Sequence, residues 1–267
     1  MKTAYNTACR INFLDRFGRQ NNKENNMPKY RAPNSDAGRL AFMKKAIETA
    51  VVDSANGSAY VDAALLQDLT DQYAAYNAAY EKTQAALGSR VSETAESSEA
   101  LEKLKMYVSH LWTSISNRAQ RLGLSAGVLN YYGLTSDGTR PTPNGRDEWL
   151  QLAGRIVTGD AEAVAAGFAP VAEPTAGELQ VVLATAVAEA NDVVAADRAY
   201  DVSQAELAAF RPKADELIQE VRDVVLFGTR RMDAPSQRRI LRSYGAQFRY
   251  LPGEPVDAGD TEPVVEI

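Results

Sequence analysis

The chain has 267 residues, 24% of them charged and 45% hydrophobic, with a formal net charge of −6 and one cysteine, Cys9. That length buries a core without covalent staples, and a single cysteine excludes an intramolecular disulfide. Charge is uneven: residues 1–45 carry ten Lys/Arg against three Asp/Glu, 211–250 carry nine against five, and 251–267 hold five acids and no base, so the strongly acidic middle disfavours nonspecific nucleic-acid binding there.

Residues 1–35 read as a flexible basic segment, because "GRQNNKENNMPKYRAPNSD" is polar and lacks periodicity. No apolar run of signal-peptide length opens the chain, and no uninterrupted apolar run reaches the roughly 18 residues of a membrane span. The expectation is a cytoplasmic protein with no membrane partner. Asn34 or Ser35 can cap a helix over about 36–52 that carries Leu40, Met43, Ile47 and Val51 at helical spacing.

From about Tyr60 the apolar residues recur in steps of three, four or seven. The stripe runs through Leu66, Leu69, Tyr73, Tyr76, Tyr80 and Leu87, weakens across Val91, Thr94 and Ser98, and resumes through Leu101, Leu104, Val108, Leu111 and Ile115 to Leu122. This near-heptad pattern predicts coiled-coil-like packing. Two arrangements fit: one helix of roughly 60 residues, or a hairpin turning at Gly88–Arg90. The phase survives the weak zone, which favours the single helix, and one glycine costs only about 1 kcal/mol inside a helix.

Glycines and prolines over 123–145 mark a loop region with short helical turns. A short helix over about 146–166 follows, with Asn144 as a candidate cap and Trp149, Leu152 and Ile156 on one face. Thr175, three residues before Glu178, is a capping box that starts a second long helix. Pro212 interrupts that helix and either kinks it or begins a new one. A last short helix is expected over 236–244, opened by Pro235. "FRYLPGEP" then reads as extended, and 256–267 as an acidic disordered tail.

The expected fold is therefore all-α: an elongated antiparallel bundle of long helices forming a single domain over 36–255. It carries an internal two-fold repeat, with units of about 60–145 and 174–255. "VLNYYG" (128–133) and "ILRSYG" (240–245) close the two units in the same Leu-x-x-Tyr-Gly form. The glycine fits a left-handed helix cap, and the tyrosine packs back on the helix it ends.

Catalytic carriers are sparse. His110 is the single histidine; the adjacent Ser109 points elsewhere on a helix, while Ser114, four residues on, could touch it. There is no CxxC, HExxH, GxxxxGK[ST] or GxGxxG motif, so no metal or cofactor is implied. Glu93, Glu96, Glu99 and Glu102 read as a solvated helix face with Lys103 and Lys105 beside it. The best candidate for partner binding is the basic stretch Arg230, Arg231, Arg238, Arg239, Arg242 and Arg249 with Tyr244 and Tyr250. Arginines of this kind pair with carboxylates, and with interleaved aromatics they also suit phosphates and bases. The functional expectation is a non-enzymatic structural, scaffold or assembly protein acting on itself or another protein. A nucleic-acid-associated protein is the alternative, and an acid/base enzyme ranks third.

Overall fold

A computed structural model describes residues 28–250. The segment up to residue 27 and the tail 256–267 lie outside the described residues. The fold is all-α and bundle-like. In order it runs β1 (Lys29–Arg31), α1 (Asp36–Ala55), α2 (Ala63–Leu122), α3 (Gly127–Asn130), α4 (Arg146–Ala165), α5 (Ala176–Thr229), α6 (Ala234–Ser243) and β2 (Gln247–Arg249). The two long helices pack against each other. α2 is one continuous helix of 60 residues with Gly88 inside it, so the hairpin is not formed. α5 runs for 54 residues straight through Pro212.

Local chemistry explains the helix starts. Ser35 Oγ accepts from the Gly38 amide at 3.1 Å and caps α1. Thr175 and Glu178 form the expected capping box, each side chain accepting from the other's amide at 3.1 and 2.8 Å. At α4 the cap is Gly145 rather than Asn144; the Asn144 amide donates instead to Glu148 Oε2 at 2.8 Å. α6 is capped by Asp233, whose carboxylate accepts from the Ser236 amide, and Pro235 fits the first turn because its missing N–H is not needed there.

The described residues group into two compact units. Unit 1 draws on both ends of the chain: α1, the first part of α2, the last part of α5, α6 and the strands. Its core holds Leu40, Phe42, Met43, Leu69, Tyr76, Leu217, Val221, Leu241 and Tyr244. Asp36 is its polar anchor. It accepts a two-pronged contact from Arg211 (2.8 and 2.9 Å) and a 2.6 Å bond from the Tyr76 hydroxyl. Arg39 grips Asp215 at 2.7 and 3.1 Å. β1 and β2 pair antiparallel with Tyr30 opposite Phe248, so residues 29–31, expected to be flexible, are part of the fold.

Unit 2 comprises residues 79–208. Its core gathers Leu104, Leu111, Trp112 and Ile115 of α2, Tyr132 and Leu134 after α3, Leu152 and Ile156 of α4, and Leu179 of α5. α3 lies so close to α4 that a Cβ on Gly159 would stand 1.7 Å from the Tyr131 carbonyl oxygen. Farther along, small residues let α2 and α5 approach. The Thr83 hydroxyl reaches the Ser203 carbonyl at 3.1 Å, and ion pairs Lys82–Glu206 and Arg90–Asp197 flank the seam at 2.5 Å each. Here the expected stripe shifts. Val91, Thr94 and Ser98 face solvent and Ser97 is buried, because small residues leave several positions able to face the partner helix.

Both Leu-x-x-Tyr-Gly segments end in the same cap. Gly133 and Gly245 take φ of 72° and 95°, values that favour glycine. The following amides, of Leu134 and Ala246, reach back to the Leu129 and Leu241 carbonyls at 3.2 and 3.0 Å. Tyr132 and Tyr244 are fully buried, and their hydroxyls donate to Asp160 (2.7 Å) and Asp53 (2.6 Å).

Candidate interaction surfaces

The basic stretch near the C-terminal end of α5 divides once folded. Arg230 folds back on its own helix end: its guanidinium lies 4.0 Å from the Phe227 ring centroid and donates to the Phe227 carbonyl at 2.9 Å. Arg231 is exposed. Along α6, Leu241 faces the core, Arg238 is half-buried and Arg239 is exposed. Arg242 donates to the Tyr250 hydroxyl at 2.7 Å and lies over the rings of Phe248 and Tyr250, at 5.2 and 5.8 Å. Tyr244 belongs to no surface. It is a core residue, because the αL glycine after it turns the ring inward against Tyr60 and onto Asp53.

The ribbon adds cations that sequence reasoning missed. Lys29 stands opposite Arg249 in the strand register, and Lys29, Arg31 and Arg249 are all exposed. Arg222 lies 4.8 Å from the Tyr30 ring centroid beneath the ribbon. The patterns "KYR" and "QFR", each with a central aromatic, were the available signal, but a three-residue strand becomes legible only beside its partner.

Unit 2 presents a different surface. The α5 residues Leu179, Val182, Ala186, Ala190, Ala196, Ser203 and Leu207 are buried on one side. On the other side Val181, Ala184, Ala188, Ala195, Ala199 and Val202 are exposed. An 18-residue window of this helix has a mean hydropathy of 1.4, yet only 28% of it is buried. By length and composition alone it could cross a membrane. Scattered polar residues break every long apolar run in this helix without making the window polar.

Beside that face lies an acidic cluster. Glu93 of α2 joins Glu189 and Asp192 of α5, their carboxylate oxygens within 4.8 Å of one another. Partial desolvation raises the Glu93 carboxyl above its ordinary value, and repulsion from Glu96, Asp192 and Glu189 adds to this. The expected row of solvated acids holds better elsewhere: Glu102 pairs with Lys105 at 2.7 Å. Glu93 departs from it because its neighbours come from another helix.

His110 is exposed on α2 and makes no hydrogen bond to Ser114 among the described residues. Ser109 accepts instead from Arg140 at 3.3 Å. The grooves are open rather than enclosed. The larger, of about 1260 Å³, runs between α3 and α4 past Tyr131, Arg155, Glu162 and Phe168. A second, of about 660 Å³, is lined by Tyr60, Phe227, Glu216, Glu220 and Asp223. Neither brings together a nucleophile, a base and an oxyanion donor. Comparison of the chain with family models, with curated proteins and with solved structures finds no match in any of the three.

Proposed function

We propose that this chain is a non-enzymatic helical scaffold or assembly protein that acts through its long helical surfaces, by self-association or by binding another protein. The observation that carries this reading is the apolar outer side of α5, most of which is not used by the chain's own core. The helix order supports a duplicated architecture. A 20-residue helix, a long helix and a Leu-x-x-Tyr-Gly cap occur twice, with α1 and α4 of equal length and long helices of 60 and 54 residues. Light scattering over a concentration series, together with capture of interacting proteins, tests it. Growth in mass, or one reproducible partner, is expected; a strict monomer that captures nothing would refute the reading.

A second reading rests on the cationic ribbon. Lys29, Arg31 and Arg249 sit together on the ribbon and are exposed, which suits a phosphate backbone. If nucleic acid is the ligand, binding at low salt weakens steeply as salt rises. Replacing Lys29, Arg31 and Arg249 by Ala then lowers affinity by about tenfold or more. No retardation of DNA or RNA at low salt disposes of this alternative.

A further inference from the structure

The groove of about 660 Å³ beside the end of α5 lies wholly within unit 1. Glu216, Gln219, Glu220, Asp223, Val224 and Phe227 line it at alternating steps of three and one, so they share one face of the helix. The facing wall is Tyr60, whose ring lies so close to the α5 backbone that a Cβ on Gly228 would overlap it. Tyr60 also packs edge-on against the buried Tyr244, with ring centroids 6.4 Å apart. Packing therefore fixes this wall before any ligand arrives. Phe227 beside it stays 68% exposed, even with the Arg230 guanidinium over its ring. The rim is acidic. Glu216 pairs with Lys213 at 3.1 Å, whereas Glu220 and Asp223 enter no ion pair among the described residues. Asp223 accepts from the Gln219 amide group at 2.9 and 3.0 Å.

Aromatic walls under an acidic rim fit a ligand that sets arginines among aromatic and aliphatic side chains. Two stretches of this chain lie outside the described residues, and their charge separates them as occupants. The stretch 251–267 has five acids and no base, so the rim repels it. The stretch before Pro28 contains "RINFLDRFGR" (10–19). There Arg10, Arg16 and Arg19 stand among Ile11, Phe13, Leu14 and Phe17, with Asp15 as the one acid.

The tether of that segment starts close to the groove. Arg222 lies 4.8 Å from the Tyr30 ring centroid of β1 and donates to Gln219, a lining residue, at 2.9 Å. Arg222 sits roughly a third of a turn round α5 from the groove, and about 9 Å along the axis covers every α5 lining residue. The eleven residue steps from Phe17 to Pro28 can extend to about 36 Å. The segment thus reaches the groove of its own chain with length to spare.

We propose that residues 10–19 dock in this groove in cis, with arginines against Glu220 and Asp223 and aromatic rings against Phe227 and Tyr60. The contact goes beyond both readings of the whole molecule, since it needs neither a partner protein nor a nucleic acid. It closes the groove to other basic ligands. Tethering raises the effective concentration of the segment, so modest local contacts suffice. Its charged part is screened by salt, so docking weakens as ionic strength rises.

The test uses the full chain. Cys9 is the single cysteine and directly precedes the segment, so a nitroxide attached there reports where the segment lies. In nuclear magnetic resonance the label is expected to broaden the amides of Tyr60, Glu220 and Phe227 selectively. Glu220→Arg together with Asp223→Arg, both at exposed positions, should lower the docked-to-free ratio by about tenfold or more. Phe13→Ala with Phe17→Ala should also lower it. Circular dichroism confirms that each variant keeps its helix content. Mixing nitroxide-bearing chains with isotope-labelled chains that lack the nitroxide should transmit no broadening. Groove amides that stay sharp, or broadening that survives the charge reversal, overturn the proposal. Broadening confined to the ribbon refutes it by placing the segment elsewhere. Broadening transmitted in the mixture refutes docking in cis and makes the segment an arm exchanged between copies.

Discussion

Three tyrosines carry the same chemistry in different surroundings. Tyr76, Tyr132 and Tyr244 are fully buried, and each donates to an aspartate: Asp36, Asp160 and Asp53. Burial first, and then the carboxylate partner, push all three hydroxyls well above the ordinary tyrosine range. Their folded values are raised, so the stability they contribute is complete below about pH 10, the unfolded value. It is lost as pH rises through the folded values. Asp36 behaves oppositely. Its hydrogen bonds from Arg211, more than those from Tyr76, hold its carboxyl below the usual range. Its contribution is present above about pH 3.9 and is lost as pH falls through the lower folded value. Thermal unfolding across pH is therefore expected to show an acid limb that Asp36→Asn flattens and an alkaline limb that Tyr132→Phe flattens. The two cap tyrosines also differ in cost. Asp160 is buried at 7% exposure and would lose a partner it cannot replace with water, whereas Asp53 is only half-buried. Tyr132→Phe should cost about 1–3 kcal/mol, and Tyr244→Phe about 1 kcal/mol, by urea denaturation.

Individual helices separate replaceable glycines from required ones. Gly88 sits exposed inside α2, and nothing lies within 4 Å of the position its Cβ would take. Gly88→Ala should raise stability by about 0.5–1 kcal/mol. Gly159→Ala drives a Cβ into the Tyr131 carbonyl and should lower stability by about 3 kcal/mol; the same denaturation series measures both. The caps at Ser35 and Thr175 were legible in the sequence, whereas the α6 start, capped by the Asp233 side chain, was placed two residues late. The α4 start at 146 was legible too, but its cap was not, because Gly145 caps without a side chain. The two long helices were legible from their stripes, but Val91, Thr94 and Ser98 were assigned to the wrong side. Where facing residues are small, the period alone does not fix which position is inside. The candidate surfaces were less legible. Glu93 meets its acidic neighbours only when α5 lies alongside, and the cations of β1 meet Arg249 across most of the chain. Such juxtapositions have no local pattern to announce them.

For the molecule as a whole, the chain passes between the two units twice, each time inside a helix, in α2 after residue 78 and in α5 after residue 208. Unit 2 is closed by contacts up to about 124 residues apart, such as Lys82–Glu206, while unit 1 depends on Asp36–Arg211 and Asp53–Tyr244, separated by 175 and 191 residues. Closing such long loops slows folding more than it weakens the folded state. In pulse-labelled hydrogen exchange, amides of α1 and α6 should gain protection together, after those of α4; simultaneous protection of α1 and α4 would contradict this order.

The antiparallel ribbon has a consequence for how the backbone could be rewired. Lys29 and Arg249 are register partners, and the Cα atoms of such a pair lie about 5 Å apart. A few linking residues between Tyr250 and Pro28 would make the described backbone a ring, which could be reopened at the exposed turn around Gly138. The permuted chain would read α4, α5, α6, β2, β1, α1, α2, α3. Asp53 and Tyr244 would then be separated by roughly thirty residues plus the linker. Contacts now among the most remote in sequence would become local, and the same architecture would assemble around its present last step as its first.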